Sequence, residues 1–169
     1  ERLLALLPHV MLNNGMASSE SGILGTSQKT AEGDGLIRLS PHADLSLVAD
    51  EGDAPLTEPG AEGILARRGH TPVGYYGDPQ KTAETFVQLG DSIWVLSGDR
   101  ARIDSNGDYI VLGRGSQCIN TGGEKVYPEE VEVAIRRCDA VQDVMVVGVA
   151  DERWGSKVAA VIQLQPGQT

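Results

Sequence analysis

The stretch IWVLSGDRARIDSNGDYIVLGR, residues 93–114, narrows the possible folds more than any other part of the chain. Two runs rich in apolar and β-branched residues flank Ser105-Asn106-Gly107-Asp108. Asn-Gly between such runs is a strong hairpin signal, because the turn that matches the twist of paired strands needs residues that accept positive φ. A long central hairpin requires further strands to cover it. GLIRLS (35–40), LSLVAD (45–50) and EGILAR (62–67) supply candidates, separated by glycine, proline and acidic clusters, and read as strands of a small barrel or sheet. Leu3, Leu4, Leu6 and Leu7 have helical spacing that Pro8 ends, and VML (10–12) reads as a short strand feeding a loop, NNGMASSESG (13–22). DPQKTAETF (78–86) predicts a short helix capped by Asp78 with Pro79 at its first position.

Beyond Arg114 the character changes. CINT (118–121) predicts a short strand and Gly122-Gly123 a tight turn. Pro128-Glu129-Glu130 opens a helix with carboxylates near the positive end of its dipole. Val131, Ala134, Ile135 and Cys138 follow at i, i+3, i+4 and i+7, which gives that helix one apolar face. VQDVMVVGVA (141–150) and KVAAVIQLQ (157–165) are two apolar strands. The order over 117–169 is therefore β-α-β-β. The expected class is α+β, with one domain over 1–115 and a smaller lobe over 116–169; a chain of 169 residues has room for both.

A net charge of −10, with 14 Lys and Arg, argues against binding nucleic acid through a broad basic surface, which needs clustered cations to displace counterions. No apolar run approaches the ~20 residues of a membrane helix, and the first residues lack the basic start and cleavage pattern of a signal peptide. The chain reads as cytoplasmic, without an integral membrane segment, and self-association is compatible with its composition. Cys118 and Cys138 lack metal-ligand spacing and read as structural thiols. With no initiator Met at its start and an end just after a strand, the sequence reads as a piece of a longer protein.

Three groups could carry chemistry. In NGMASSESG, Gly15, the hydroxyls of Ser18 and Ser19 and the carboxylate of Glu20 could hold a phosphate and its metal, since hydroxyls donate to oxygens and a carboxylate is a hard ligand for Mg²⁺; the same residues also fit a polar turn capping a helix. Asp99, expected at a strand end beside Gly98, could accept hydrogen bonds from both hydroxyls of a ribose, and also fits an ordinary turn aspartate. Arg114, at the end of the partner strand, should lie near the same rim.

Read in order, these segments resemble the adenylate-forming superfamily of acyl-CoA synthetases, peptide-synthetase adenylation domains and luciferases. NGMASSESG is similar to its aromatic-Gly-x-Thr-Glu loop, EGILARRGHTPVGYYGDPQKT to its Gly-Glu-Leu to Gly-Tyr-x-x-x-Pro-x-x-Thr segment, SGDRARID to its Thr-Gly-Asp strand, and GRGSQCINTGGEKVYPEEVE to its hinge and following loop. The wording Gly-Gly-Glu-Lys-Val-Tyr-Pro looks closest to actinobacterial fatty-acyl and steroid-side-chain CoA ligases. The resemblance implies the end of a large N-terminal domain followed by part of a small mobile C-terminal lobe. It implies ATP, Mg²⁺, CoA and a small-molecule carboxylic acid as cofactors and substrates, with catalytic roles for Ser19 at the phosphates and Glu20 at the Mg²⁺. Gly15 and Met16 would line the nucleotide, Met16 standing where the family has an aromatic residue over adenine and Ala17 where it has Gly. Asp99 would bind the ribose, Arg114 the nucleotide, and Gly122 and Gly123 the pantetheine arm of CoA. Ser116 would be the hinge, in place of the usual Asp or Lys. The family's upstream phosphate loop and its C-terminal lysine would fall outside residues 1–169. Activation of a fatty or steroid-side-chain acid as acyl-AMP and its transfer to CoA is the leading expectation. Loading of a carrier protein or of no thiol at all, and a non-catalytic nucleotide-binding piece, are the alternatives.

Overall fold

The computed structural model describes residues 6–7, 9–29, 36–50 and 54–168, so most of the helix expected over residues 1–8 lies outside the described residues. The chain divides into two compact units, Glu1–Val111 and Leu112–Thr169.

The first unit is built on antiparallel strands. β1 (Leu12–Ser18) and β2 (Gly22–Lys29) form a two-stranded sheet of their own. A seven-stranded sheet contains β3 (Arg38–Leu39), β4 (Leu45–Val48), β5 (Pro55–Leu56), β6 (Glu62–Arg67), β7 (Phe86–Leu89), β8 (Ser92–Ile103) and β9 (Tyr109–Arg114). Its order is β3-β9-β8-β6-β4-β5, with β7 also on β8. The expected hairpin is β8 and β9, closed where the Asp104 N–H donates to the Asp108 carbonyl and the Asp104 carboxylate accepts from Asn106 and Asp108 N–H groups. All four residues of β4 are buried, including Ser46, whose hydroxyl donates to the Leu47 carbonyl. The core gathers Leu24, Leu39, Leu45, Leu47, Leu65, Ala101, Ile103 and Tyr109, with Met16 packed against it. A second cluster of Val48, Ala66, Leu89 and Trp94 lies on the same sheet. Helix α1 (Pro79–Thr85) starts as expected, the Asp78 carboxylate accepting from the Lys81 N–H at 2.9 Å.

Two expectations change here. The stretch expected to be a loop over 13–22 is strand β1 and a three-residue turn, because the unrecognised strand β2 pairs with β1 from Leu12↔Lys29 to Ser18↔Gly22. Asp99 lies inside β8 rather than at a strand end, since β8 continues to Ile103.

The second unit begins within the last residues of β9 and continues with a 3-10 turn, Gly115–Gln117. Then come β10 (Ile119–Thr121), β11 (Glu124–Val126), α2 (Pro128–Ile135), β12 (Val141–Asp151) and β13 (Gly155–Leu164). The order is β-β-α-β-β; the added strand β11 is three residues long and owes its existence to pairing with β10 across Gly122-Gly123. α2 ends at Ile135, so Cys138 falls beyond it and is exposed, as is Ala134; only Val131 and Ile135 of the expected face pack on Ile119, Val144 and Val146. The helix also satisfies backbone groups of β12. Glu132 accepts the Val146 N–H at 2.9 Å, and Arg136 donates to the Val144 carbonyl at 3.1 Å. Such bonds occupy groups that a strand edge would otherwise leave open. On the opposite face of the β12–β13 ribbon, Met145 pairs with Val161 and Val147 with Ala159, and Met145, Val147, Val149 and Val161 are exposed. No helix among the described residues is long and apolar enough to cross a membrane.

Candidate functional site

The β1–β2 turn carries Ser19, Glu20 and Ser21. Its shape is set by hydroxyls. Ser18 and Ser21 share a hydrogen bond of 2.8 Å, the Ser18 Oγ accepts the Ser21 N–H at 3.0 Å, and the Ser21 carbonyl accepts from Arg67 Nη1 at 2.7 Å. Ser18 is thereby used by the turn itself, while Ser19 is exposed. Glu20 is half-buried, and its Oε1 accepts the Tyr75 hydroxyl at 2.7 Å. That bond, joined by a backbone N–H, lowers the pKa of the Glu20 carboxyl from its ordinary value. Of the nearby β1 residues, Gly15 is exposed and Met16 is half-buried against the core.

The donor set suits Mg²⁺. Among the described residues no three His, Cys, Asp or Glu side chains group as a metal cage. An ionised carboxylate beside hydroxyls is what a small hard cation uses when it keeps several waters and takes its other ligands from substrate phosphates. Glu20 would hold such an ion, with Ser19 beside it.

Asp99 is placed by a bulge. Between the pairs Ile64↔Arg100 and Ala66↔Leu96 the register shifts, so Ser97, Gly98 and Asp99 together face the single residue Leu65. Gly98 has φ +79, and the Ser97 Oγ accepts the Asp99 N–H at 3.1 Å. Extra residues in one strand re-aim side chains, and a bulge at a binding edge is a recurring device. Asp99 belongs to the first unit and Arg114 to the second.

In the second unit Arg114 is exposed at the end of β9, and Ser116 is exposed in the middle of the 3-10 turn. Gly122 and Gly123 form the β10–β11 turn with φ +60 and +92. The Gly122 N–H donates to the Trp154 carbonyl at 3.0 Å, and a Cβ on Gly122 would stand 2.7 Å from Trp154 Cε3. Sequence reasoning missed Trp154, Tyr75 and Arg67. Tyr75 was within reach, since it stands in the quoted Gly-Tyr segment, but nothing local announces a partner 55 residues away.

The profile of the AMP-binding enzyme C-terminal domain matches residues 130–169. A medium/long-chain-fatty-acid and 3-oxocholest-4-en-26-oate CoA ligase of Mycobacterium tuberculosis is 44% identical over 170 residues, 99% of this chain and 31% of the relative. The chain is homologous to part of the adenylate-forming enzymes. A 3-oxocholest-4-en-26-oate CoA ligase of Rhodococcus rhodochrous is 41% identical over 174 residues, again 99% of this chain and 31% of the relative. The amide bond synthetase McbA of Marinactinospora thermotolerans superposes with a TM-score of 0.78 at 25% identity, over 94% of this chain and 32% of the other. The chain thus spans about a third of these adenylate-forming relatives.

Proposed function

We propose that the chain is part of a cytoplasmic, AMP-forming acyl-CoA synthetase acting on fatty or steroid-side-chain acids. The observation that carries this reading is the 44% identity, over 99% of the chain, to a ligase named for both acid classes. The substrate carboxylate attacks the α-phosphorus of ATP, forming acyl-AMP and releasing pyrophosphate. The CoA thiol, losing its proton, then attacks the acyl carbon and expels AMP. When bound, Mg²⁺ supplies charge neutralisation at the phosphates.

The chain's own residues bind and orient. Glu20 holds the metal and Ser19 donates to phosphate oxygens; Gly15 and Met16 border the nucleotide. Asp99 accepts from the ribose hydroxyls, and Arg114 adds a cation to the nucleotide site. Gly122 and Gly123 let the pantetheine arm pass close to backbone, and Ser116 is the hinge on which residues 116–169 turn relative to the domain ending at 115. Fixing the reacting atoms in place is worth several kcal/mol, on the order of 7–11 in well-oriented systems.

The test uses the full-length protein with ATP, CoA and a panel of fatty and sterol-side-chain acids. Acid-dependent pyrophosphate, AMP and acyl-CoA in equal amounts are expected; ADP as product, or pyrophosphate release indifferent to acid, overturns the reading. The likeness to an amide bond synthetase favours a second reading, in which the acyl adenylate passes to another nucleophile. Acyl-AMP formed normally but left unconsumed by CoA would select it.

A further inference from the structure

Tyr75 has no part in the functional reading above, yet its surroundings are arranged around one contact. Its hydroxyl donates to Glu20 Oε1 at 2.7 Å, bridging α1's leading segment to the β1–β2 turn. Three things fix the ring. The Tyr75 N–H donates to Thr82 Oγ1 at 2.9 Å, and that hydroxyl donates onward to the Asp78 carbonyl at 2.7 Å. Phe86 meets the ring edge-on, with centroids 5.9 Å apart and planes at 76°. Lys81 Nζ stands 4.3 Å from the ring centroid. A cation over the ring draws electron density from the phenol and makes its O–H a stronger donor. GYYGDPQKT, residues 74–82, is therefore a self-closed brace: Asp78 caps the helix that carries Lys81 and Thr82, and both hold Tyr75. Tyr76, next in sequence, is fully exposed and takes no part.

We propose that Tyr75 is a positioning residue for the divalent cation of the nucleotide, holding the Glu20 carboxylate in one orientation through its hydroxyl, with Lys81 and Thr82 as its supports. This rests on the reading of Glu20 as the metal ligand. A carboxylate on a surface turn samples several rotamers, and a ligand already oriented loses less freedom when the ion arrives. The aromatic ring is rigid, so the orientation reaches Glu20 from a helix rather than from the turn.

The experiment compares Tyr75→Phe, Lys81→Gln, Glu20→Gln, the double variant Tyr75→Phe/Glu20→Gln and the control Tyr76→Phe in the full-length protein. Two quantities are read: the Mg²⁺ concentration giving half-maximal acid-dependent pyrophosphate exchange, and Mn²⁺ binding, by electron paramagnetic resonance, to the protein with a non-hydrolysable ATP analogue. Tyr75→Phe should weaken both by about tenfold, in line with losing an outer partner of a metal ligand. Its kcat should recover as Mg²⁺ is raised, and the KM for the acid should stay put. Lys81→Gln should give a smaller shift of the same kind, Tyr76→Phe none, and Tyr75→Phe should add nothing once Glu20 is Gln. Unchanged metal dependence in Tyr75→Phe, beside a raised requirement in Glu20→Gln, overturns the proposal and leaves the reading of Glu20 standing. Unchanged metal dependence in Glu20→Gln sinks that reading and the proposal with it. A loss in Tyr75→Phe that tracks melting temperature and does not recover with Mg²⁺ also overturns it, since a structural residue would behave that way.

Discussion

At Gly122 two constraints coincide. The backbone has φ +60, and the Trp154 ring occupies the space a side chain would need. Gly122→Ala should cost about 1–2 kcal/mol from the left-handed backbone, plus the displacement of the indole. Thermal melting together with red-shifted Trp154 emission would register it; unaltered melting would mean the turn rearranges freely. Asp151, the last residue of β12, accepts N–H groups of Trp154 at 3.1 Å and Arg153 at 3.0 Å, with Lys157 at 3.5 Å. The Trp154 N–H foremost holds its carboxyl below the usual aspartate range. Its folded pKa is thus the lower one, so the turn gains from Asp151 at pH above the unfolded value and loses that gain as pH falls through the folded value. The Trp154 indole resonance should shift only below the ordinary aspartate pKa of about 3.9, and Asp151→Asn should abolish the titration. A midpoint at or above that value would contradict the arrangement.

Among the elements, α1 shows how a short helix can matter. It is seven residues long, and none of them is buried. Its stability rests on the Asp78 cap and the Thr82 bonds, so Asp78→Ala should cost about 0.5–2 kcal/mol locally and raise amide exchange across Pro79–Thr85 and at Tyr75. Exchange rising in the helix but not at Tyr75 would uncouple the two. This helix was legible because its cap and proline are local signals, as was the β8–β9 hairpin with its Asn-Gly turn. β1 was not: LNNGMAS has no β-branched residue, and it becomes a strand only through β2, whose own GILGTSQK alternates weakly. The site divides in the same way. Ser19, Glu20, Asp99 and the two glycines could be named from the sequence as candidates only. The bulge that aims Asp99 and the hydroxyl that holds Glu20 could not, because both arise between segments distant in the chain.

For the molecule as a whole, the proposed hinge separates two half-reactions. Ser116→Pro fixes φ near −65° and removes a backbone donor, so a turn at that residue should be trapped in one orientation. Pyrophosphate exchange, or conversion of preformed acyl-AMP and CoA to acyl-CoA, should fall by orders of magnitude while the other stays near normal. Equal, small effects on both would make Ser116 a plain linker.

The bare face of the β12–β13 ribbon has a colloidal consequence. Met145, Val147, Val149 and Val161 offer a sticky stripe on a chain whose net charge of −10 makes copies repel one another. That repulsion reaches about 30 Å at 0.01 M salt and only about 3 Å at 1 M, whereas the attraction of the stripe is not screened. The 169-residue chain should therefore stay dispersed in dilute buffer and scatter light increasingly as sodium chloride is added, the reverse of salting-in. Met145→Lys with Val161→Glu should suppress the rise; if it persists unchanged in that double variant, the copies meet through some other face.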